Sequence, residues 1–265
     1  MKLPLYWVDA FTNQVFAGNP AAVVLLDRWP ADNLLQNIAF ENGLAETAFV
    51  VRTAKARFEI RWFTPAVEVD FCGHATLASA HALFNELGQP GEKIIFDSRS
   101  GPLTVAKRAD LLELDFPATP PVSEVDLTVT RHVAAALGCK PVWCGRSKFD
   151  LFAVLLDAKD VRTLRPDLAA VSAAGGRGLI VTATGDEGCD FVSRFFAPQS
   201  GIPEDPVTGS AHSALTPYWA NRLSKPTLHA RQVSTRGGEL WCTLAGDRVL
   251  IAGRAVLYLR GEISV

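Results

Sequence analysis

Arg61-Trp62-Phe63-Thr64-Pro65, which leads into Gly73-His74-Ala75, occurs twice in this chain in recognisable form. The second occurrence is Arg194-Phe195-Phe196-Ala197-Pro198, which leads into Gly209-Ser210-Ala211. The two parts recur after 133 and 136 residues. Each occurrence joins a β-like run to a helix that opens with glycine. Self-similarity at one long interval is the signature of a repeated structural unit.

A third match extends this repeat towards the start of the chain. Residues 22–27 resemble residues 152–157, an interval of 130 residues. The slowly growing intervals predict two copies of one α+β unit with small insertions. The Pro-rich stretch Phe116-Pro117-Ala118-Thr119-Pro120-Pro121 is the best linker and predicts halves at 1–117 and 122–265. Because pockets favour domain interfaces, we expect the ligand site in the cleft between the copies.

Short apolar runs predict strands along the whole chain, at 23–26, 48–51, 57–63, 94–97, 111–114, 152–156, 179–182, 191–196, 249–252 and 255–259. One helix is predicted at 33–42, with Asp32 as its N-cap and Gly43 as a left-handed C-cap. A second is predicted at 74–87, ended by Gly88. A third opens at Gly209-Ser210, and Pro217 should kink or stop it.

Composition excludes several classes of protein. The 265 residues include 26 basic and 28 acidic side chains, a formal net charge of −2 without long runs of either sign. Nucleic acid and anionic membranes are therefore not expected as partners. The five cysteines contain no C-x-x-C pair, which argues against a disulfide framework and a thiolate zinc site. Without a signal-peptide pattern or about 18 consecutive apolar residues, we expect a soluble cytoplasmic protein.

The two helix starts predict a binding site for a small acidic molecule. Gly73 and Gly209 let the backbone approach a ligand closely, and the N–H groups of a first helical turn attract anions. The alternative is that these residues only begin ordinary helices. His74 and His81 are about 10.5 Å apart along a helix, which predicts no shared metal ion. His74 and Asp205 also have structural interpretations, as a satisfied helix-start group and a turn residue.

Glu46 is a candidate acid/base group. In a strand it shares a face with Ala48 and Val50. A carboxylate on an apolar face loses hydration, which raises its pKa towards a value useful for proton transfer. The corresponding stretch of the second copy, 178–182, contains no acid. An ordinary half-exposed strand glutamate remains the alternative.

Other catalytic motifs are weak. Gly176-Arg177-Gly178 precedes a strand instead of following one, so it does not predict a dinucleotide site. Ser210 is not in a G-x-S-x-G elbow, which argues against a serine hydrolase. Cys72 at a helix start is either a reactive thiolate or a small buried residue.

Four blocks resemble the PhzF-like family, named for phenazine biosynthesis. They are Asp9-Ala10-Phe11-Thr12 with Phe16-Ala17-Gly18-Asn19-Pro20-Ala21-Ala22-Val23, Ala45-Glu46-Thr47-Ala48-Phe49, Arg61-Trp62-Phe63-Thr64-Pro65 with Cys72-Gly73-His74-Ala75-Thr76-Leu77-Ala78, and Glu204-Asp205-Pro206-Val207-Thr208-Gly209-Ser210-Ala211-His212. The resemblance implies a diaminopimelate-epimerase-like α+β fold. Two pseudo-symmetric halves each wrap a mostly antiparallel sheet around a central helix, and the final strands can return to the first half.

The resemblance also implies a function. It implies a cofactor-independent isomerase, without metal, that moves a proton on a small carboxylate-bearing metabolite. Glu46 would be the general acid/base, assisted by His74 and Asp205. The substrate would be held by Gly73, Gly209 and Ser210. Relatives suggest a homodimer.

Two other functions stay open. One is an amino-acid epimerase that uses Cys72, although 205–210 lacks the second cysteine of two-thiol epimerases. The other is a non-catalytic metabolite-binding protein of the same fold.

Overall fold

The computed structural model describes residues 1–122 and 126–265. Within them the chain forms two compact units. Unit 1 comprises Met1–Asp115 and Ala252–Val265, and unit 2 comprises Phe116–Ile251. The predicted halves at 1–117 and 122–265 stay a prediction about domain boundaries.

Unit 1 is a sheet with two helices. Its elements are β1 Lys2–Ala10, β2 Asn19–Leu26, α1 Asp32–Asn42, β3 Glu46–Ala54, β4 Arg57–Phe63, β5 Glu68–Val69, α2 Gly73–His81, β6 Lys93–Ser98, β7 Gly101–Arg108, β8 Leu111–Pro117, whose last two residues belong to unit 2, and, from the end of the chain, β17 Ala255–Ser264. Strand β1 pairs antiparallel with both β17 and β2. The pairs β2–β3 and β4–β6 are parallel, and the pairs β3–β4, β4–β5, β6–β7 and β7–β8 are antiparallel.

The two faces of this sheet are covered by different helices. Helix α1 packs on one face of the sheet, formed by every second residue of each strand. The core between them comprises Leu3, Leu5, Ala22, Val24, Leu26, Leu35, Ile38, Ala39, Phe49, Val51 and Phe63. Helix α2 contacts β1, β2, β3 and β17, and all nine of its residues are buried. Strand residues of the other parity, such as Ala21 and Ala48, therefore face α2.

Unit 2 repeats this plan with more helices. Its elements are α3 Leu127–Leu137, β9 Trp143–Arg146, β10 Leu151–Val154, α4 Ala158–Thr163, α5 Leu168–Ala173, β11 Leu179–Thr184, β12 Phe191–Ala197, β13 Ile202–Asp205, α6 Gly209–Leu223, β14 Thr227–Gln232, β15 Gly238–Ala245 and β16 Arg248–Gly253, whose last two residues belong to unit 1. Helices α3, α4 and α5 share a core with one face of β10, β11 and β12. The buried helix of this unit is α6.

The order of strand pairing is the same in both units. From β9 onwards the pairs are β9–β10 antiparallel, β10–β11 parallel, β11–β12 and β12–β13 antiparallel, β12–β14 parallel and β14–β15 antiparallel. The series β1 to β7 gives the same sequence of directions. The predicted α+β class with two pseudo-symmetric halves is confirmed.

One of the three sequence matches is out of register. Arg61 and Arg194 occupy equivalent places, and they face Phe49 and Val181 across the sheet. Phe49 faces Val24 in its unit, and Val181 faces Ala153. Val24 therefore corresponds to Ala153, one residue away from the predicted interval of 130. A shift of one residue would turn every side chain of the strand to the other face.

Two helix boundaries differ from the predictions. Asp32 is the first residue of α1 instead of its N-cap, because its carboxylate accepts a hydrogen bond from Arg61 at 2.8 Å. The predicted Gly43 C-cap is confirmed, with φ of 64°. The predicted helix 74–87 is shorter, because α2 ends at His81. A wider π-helical turn follows, in which the Leu87 amide donates to the Ala82 carbonyl at 3.1 Å.

The sequence predicts that Pro217 kinks or stops its helix, and the structure shows that it does not stop it. Helix α6 continues through Pro217 to Leu223. Proline cannot donate to the carbonyl four residues earlier, which belongs to Ser213. The Thr119 amide donates to that carbonyl at 2.9 Å instead. The polar group freed by Pro217 is thus satisfied inside unit 2.

No helix in the described part of the chain has both the length and the apolar character that crossing a bilayer requires.

Candidate active site

Two parallel strands and one helix bring three polar side chains together in unit 1. Asn19 begins β2 and Glu46 begins β3. Glu46 is paired with Ala21, so Glu46 and Asn19 lie on the same face of the sheet, the face that α2 covers. His74 is the second residue of α2. The buried polar groups thus collect where both strands and the helix begin.

The turn before β2 requires glycine. Gly18 has φ of 65°, and a Cβ atom at this position would lie 2.2 Å from the carbonyl oxygen of Ala10. No other residue type fits so close to the backbone of β1. Gly18 thereby fixes the entry into β2 and the position of Asn19.

Glu46 and His74 are in contact and shielded from solvent. Their side chains are 13% and 7% exposed, and Oε2 of Glu46 lies 3.2 Å from Nε2 of His74. This is a hydrogen-bond distance, although the two groups do not have hydrogen-bond alignment. The structure therefore brings these two predicted catalytic residues together.

The imidazole of His74 is neutral. Burial lowers its pKa to about 3, because a charged ring would lose its hydration. The Glu46–His74 contact is consequently not a salt bridge at pH 7. Nδ1 of His74 accepts a hydrogen bond from Nδ2 of Asn19 at 3.2 Å. A neutral ring with an accepting Nδ1 carries its proton on Nε2, which faces the Glu46 carboxylate.

Cys72 completes this cluster. It precedes α2, is buried, and its Sγ lies 3.6 Å from Nδ1 of His74. Ligand atoms of Glu46, Cys72 and His74 all lie within 4.8 Å of one another. A carboxylate, a thiolate and an imidazole are ligands that zinc uses, so this cluster could hold such an ion.

The predicted residues of unit 2 lie at the start of α6. Asp205 ends β13, and one of its carboxylate oxygens accepts a hydrogen bond from the hydroxyl of Thr208. The side chain of Gln232 fixes the same turn, because its Oε1 accepts from the Thr208 amide at 2.8 Å and its Nε2 donates to the Asp205 carbonyl at 2.7 Å. The hydrogen bonding predicted between Asp205 and the catalytic pair stays a prediction.

Gly209 and Ser210 form the first turn of α6, and Gly209 is buried. The hydroxyl oxygen of Ser210 accepts a hydrogen bond from Nη2 of Arg177 at 3.0 Å. Arg177 also donates to both carboxylate oxygens of Asp150, at 2.9 and 2.7 Å. In unit 1 the equivalent first turn of α2 contains Gly73 and His74. Both predicted helix starts therefore carry polar groups.

Sequence reasoning missed Asn19, Arg177 and Gln232 as site residues. Asn19 follows a glycine and begins an apolar strand, a signal similar to that of Glu46. Gln232 lies in a strand that was not predicted, and only the fold brings it to Thr208. Arg177 lies in the glycine-rich stretch Gly176-Arg177-Gly178, whose sequence pattern does not predict a site.

Comparison with known proteins first defines the class. A solved structure of a predicted epimerase from Pseudomonas aeruginosa has a TM-score of 0.81 over 99% of both chains at 20% identity, which shows the same fold. A PhzF-family protein from Enterococcus faecalis has a TM-score of 0.95 and 47% identity over the full length of both chains. An uncharacterised isomerase from Pseudomonas aeruginosa is 55% identical over the full length of both sequences.

The family follows from the sequence profile. The family described as "phenazine biosynthesis-like protein", PhzC-PhzF, matches residues 8–261. The chain belongs to this PhzF family, as the four sequence blocks predicted, and the family is one of isomerase-type enzymes.

Proposed function

We propose that this protein is a cofactor-independent isomerase that moves a proton on a small carboxylate-bearing metabolite, with Glu46 as the general acid/base. The observation that carries the proposal is the shielded Glu46–His74 contact, at 3.2 Å, at the start of the buried helix. Family membership supports the isomerase class, and the cluster supplies the proton-transfer group.

Glu46 would act in two steps. As a carboxylate it takes a proton from one carbon of the substrate, and the electron pair left behind is delocalised over the conjugated substrate. As a carboxylic acid it then returns the proton to another carbon. The substrate is neither oxidised nor reduced, so the step needs no electron acceptor.

His74 would position this group and moderate its basicity. A small rotation would align its Nε2–H with the carboxylate, and a neutral donor stabilises the anion less than a cation would. Asn19 holds the required tautomer through Nδ1. A neutral neighbour thus leaves Glu46 able to both accept and release a proton.

The other predicted site residues keep the roles that the resemblance implies. Asp205 would assist through hydrogen bonds, and Gly73, Gly209 and Ser210 would hold the substrate. Homodimer formation and a cytoplasmic location stay predictions. A non-catalytic metabolite-binding role is the competing function, because the same polar helix starts could bind a ligand without turning it over.

Proton exchange with solvent tests the proposal. Wild type, Glu46→Gln and the control Glu41→Gln, which changes an exposed residue of α1, are incubated in D₂O with dihydro-hydroxyanthranilate and a panel of small amino and hydroxy acids. Wild type and Glu41→Gln should introduce label into one compound. Glu46→Gln should be at least about 10²-fold slower, since it keeps the shape but loses the transferable proton.

Equal exchange by Glu46→Gln would exclude Glu46 as the acid/base. Binding of a panel compound without exchange by the wild type would favour the metabolite-binding role.

A further inference from the structure

Arg177 has one guanidinium nitrogen, Nη1, that makes no hydrogen bond in the described part of the chain, and its guanidinium group lies beside the first turn of α6. Its Nε and Nη2 donate to Asp150, whose side chain is only 2% exposed, and Nη2 also donates to Ser210. No acceptor for Nη1 occurs among residues 1–122 and 126–265. The Arg177 side chain is 39% exposed.

The guanidinium is held rigidly. It lies 5.5 and 5.4 Å from the ring centres of Phe149 and Phe195. The Arg177 amide donates to the Phe149 carbonyl at 2.9 Å, and Gln199 donates to the neighbouring Gly176 carbonyl at 2.8 Å. A group fixed in advance loses little conformational freedom when it binds a ligand.

Two other arginines show what a purely structural pair looks like. Arg194 makes a bidentate pair with Glu204, and its Nη1 donates to the backbone carbonyls of Val161 and Leu164. Arg61 makes a bidentate pair with Glu68, and its Nη1 donates to Asp32. In Arg194 and Arg61 all three guanidinium nitrogens donate hydrogen bonds to residues that the structure describes, whereas in Arg177 only Nε and Nη2 do.

We propose that Arg177 and the hydroxyl of Ser210 form an anion-binding site that holds a carboxylate group of the substrate. Both N–H groups of Nη1 can donate to an oxygen of the carboxylate, and hydrogen bonds between a guanidinium and a carboxylate are strong because both groups are charged. Because Ser210 uses its oxygen to accept from Arg177, its hydroxyl proton remains available for the anion. This inference rests on the proposed function, and it names the group that recognises the acidic part of the substrate.

The buried carboxylate of Asp150 holds the Arg177 guanidinium in place beside Ser210. Burial raises its pKa and opposes its ionisation, whereas the hydrogen bonds from Arg177 favour the charged form. Asp150 therefore needs Arg177, and removing the arginine alone would leave a buried acid without its cation. A useful variant must change both residues together.

Two assays with matched variants test the site. The variants are Arg177→Gln, Arg177→Gln with Asp150→Asn, Ser210→Ala, and the control Arg57→Gln, which breaks an exposed bidentate pair with Asp97 in unit 1. Calorimetry measures binding of benzoate against its neutral isostere benzamide. Steady-state kinetics uses whichever compound the wild type labels in D₂O.

The wild type and Arg57→Gln should prefer benzoate to benzamide. Both Arg177 variants should bind benzoate about 10-fold or more weakly and benzamide unchanged, and should raise KM with kcat within about 3-fold. Ser210→Ala should shift benzoate affinity in the same direction by a smaller factor. Unchanged benzoate affinity in the folded double variant would overturn the proposal.

The two proposals fail separately. Arg177-dependent benzoate binding without any proton exchange would remove the proposed function and keep the anion site. Glu46-dependent exchange with an unchanged KM in the double variant would do the reverse.

Discussion

The first turns of α2 and α6 occupy equivalent places in two units of the same topology, and their chemistry differs. Around α2 lie a carboxylate, a neutral imidazole and a thiol, all able to gain or lose a proton. Around α6 lie groups that fix one another, as Asp205, Thr208 and Gln232 do. The two units thus share their strand order and differ in the polar groups at the starts of their buried helices.

The difference is clearest at the start of the second parallel strand. Register equates Glu46 with Gly178, since these residues lie three positions before Phe49 and Val181. A Cβ atom at Gly178 would lie 2.4 Å from the ring of Phe195 and 2.8 Å from the Phe196 carbonyl oxygen. In unit 2 an aromatic ring and the backbone occupy the space in which unit 1 places its acid.

The first way to test this comparison is Gly178→Ala. The added methyl group must displace the Phe195 ring or the β12 backbone, so we expect the free energy of unfolding to fall by about 2 kcal/mol. Urea denaturation measures the loss. Gly261→Ala in β17 is the control, because its nearest contact would be an ordinary 3.6 Å and the change should be within about 0.5 kcal/mol. Equal stability of the two variants would show that Phe195 does not exclude a side chain here.

A second test uses histidines buried in both central helices. Burial lowers the pKa of His212 in α6 to about 4 and that of His74 in α2 to about 3. Both stay neutral when folded, whereas the unfolded chain takes up protons below about pH 6.5. The stability that they contribute is therefore complete above pH 6.5 and is lost as the pH falls towards 4.

The variant His212→Asn removes one of these titrations and can still donate to the Thr208 carbonyl, which His212 Nδ1 contacts at 2.8 Å. The loss of unfolding free energy on acidification should become less steep, by up to about 1.4 kcal/mol per pH unit near pH 5. Denaturation curves between pH 4.5 and 7 measure the slope. The control Asn221→Gln, which changes an exposed side chain of α6 that does not titrate, should leave the slope unchanged. An unaltered slope in His212→Asn would mean that His212 is protonated in the folded protein.

The strands that the sequence predicted best are those with one unambiguous buried face. Strand β4 has the predicted bounds, Arg57–Phe63, because apolar and polar side chains alternate throughout it. Strand β14 was not predicted, since its apolar residues are sparse and the polar Gln232 lies on its buried face. The match between residues 22–27 and 152–157 is one residue out of register. Both stretches are runs of Ala, Val and Leu, which look alike at an interval of 129 or 130 residues.

The candidate site was only partly readable for a different reason. Glu46 and His74 lie in short motifs beside a strand start and a helix start, so local sequence could indicate them. Arg177 and Asp150 are separated in sequence and meet through the parallel β10–β11 pair. The continuation of α6 through Pro217 could not be predicted from local sequence, because Thr119, nearly 100 residues away, satisfies the freed carbonyl.

The smallest expected effect concerns Cys72, a member of the α2 cluster that has no role in the proposed mechanism. Cys72→Ala keeps Asn19 as the donor to His74 Nδ1, so the tautomer and the Glu46 contact should persist. We expect kcat to stay within about 3-fold of the wild type in the D₂O exchange assay. A loss approaching that of Glu46→Gln would mean that the thiol carries a proton, which is the epimerase alternative. Retained exchange would instead assign the chemistry of this helix start to one carboxylate, held by a neutral histidine at a position where the second unit has Ser210.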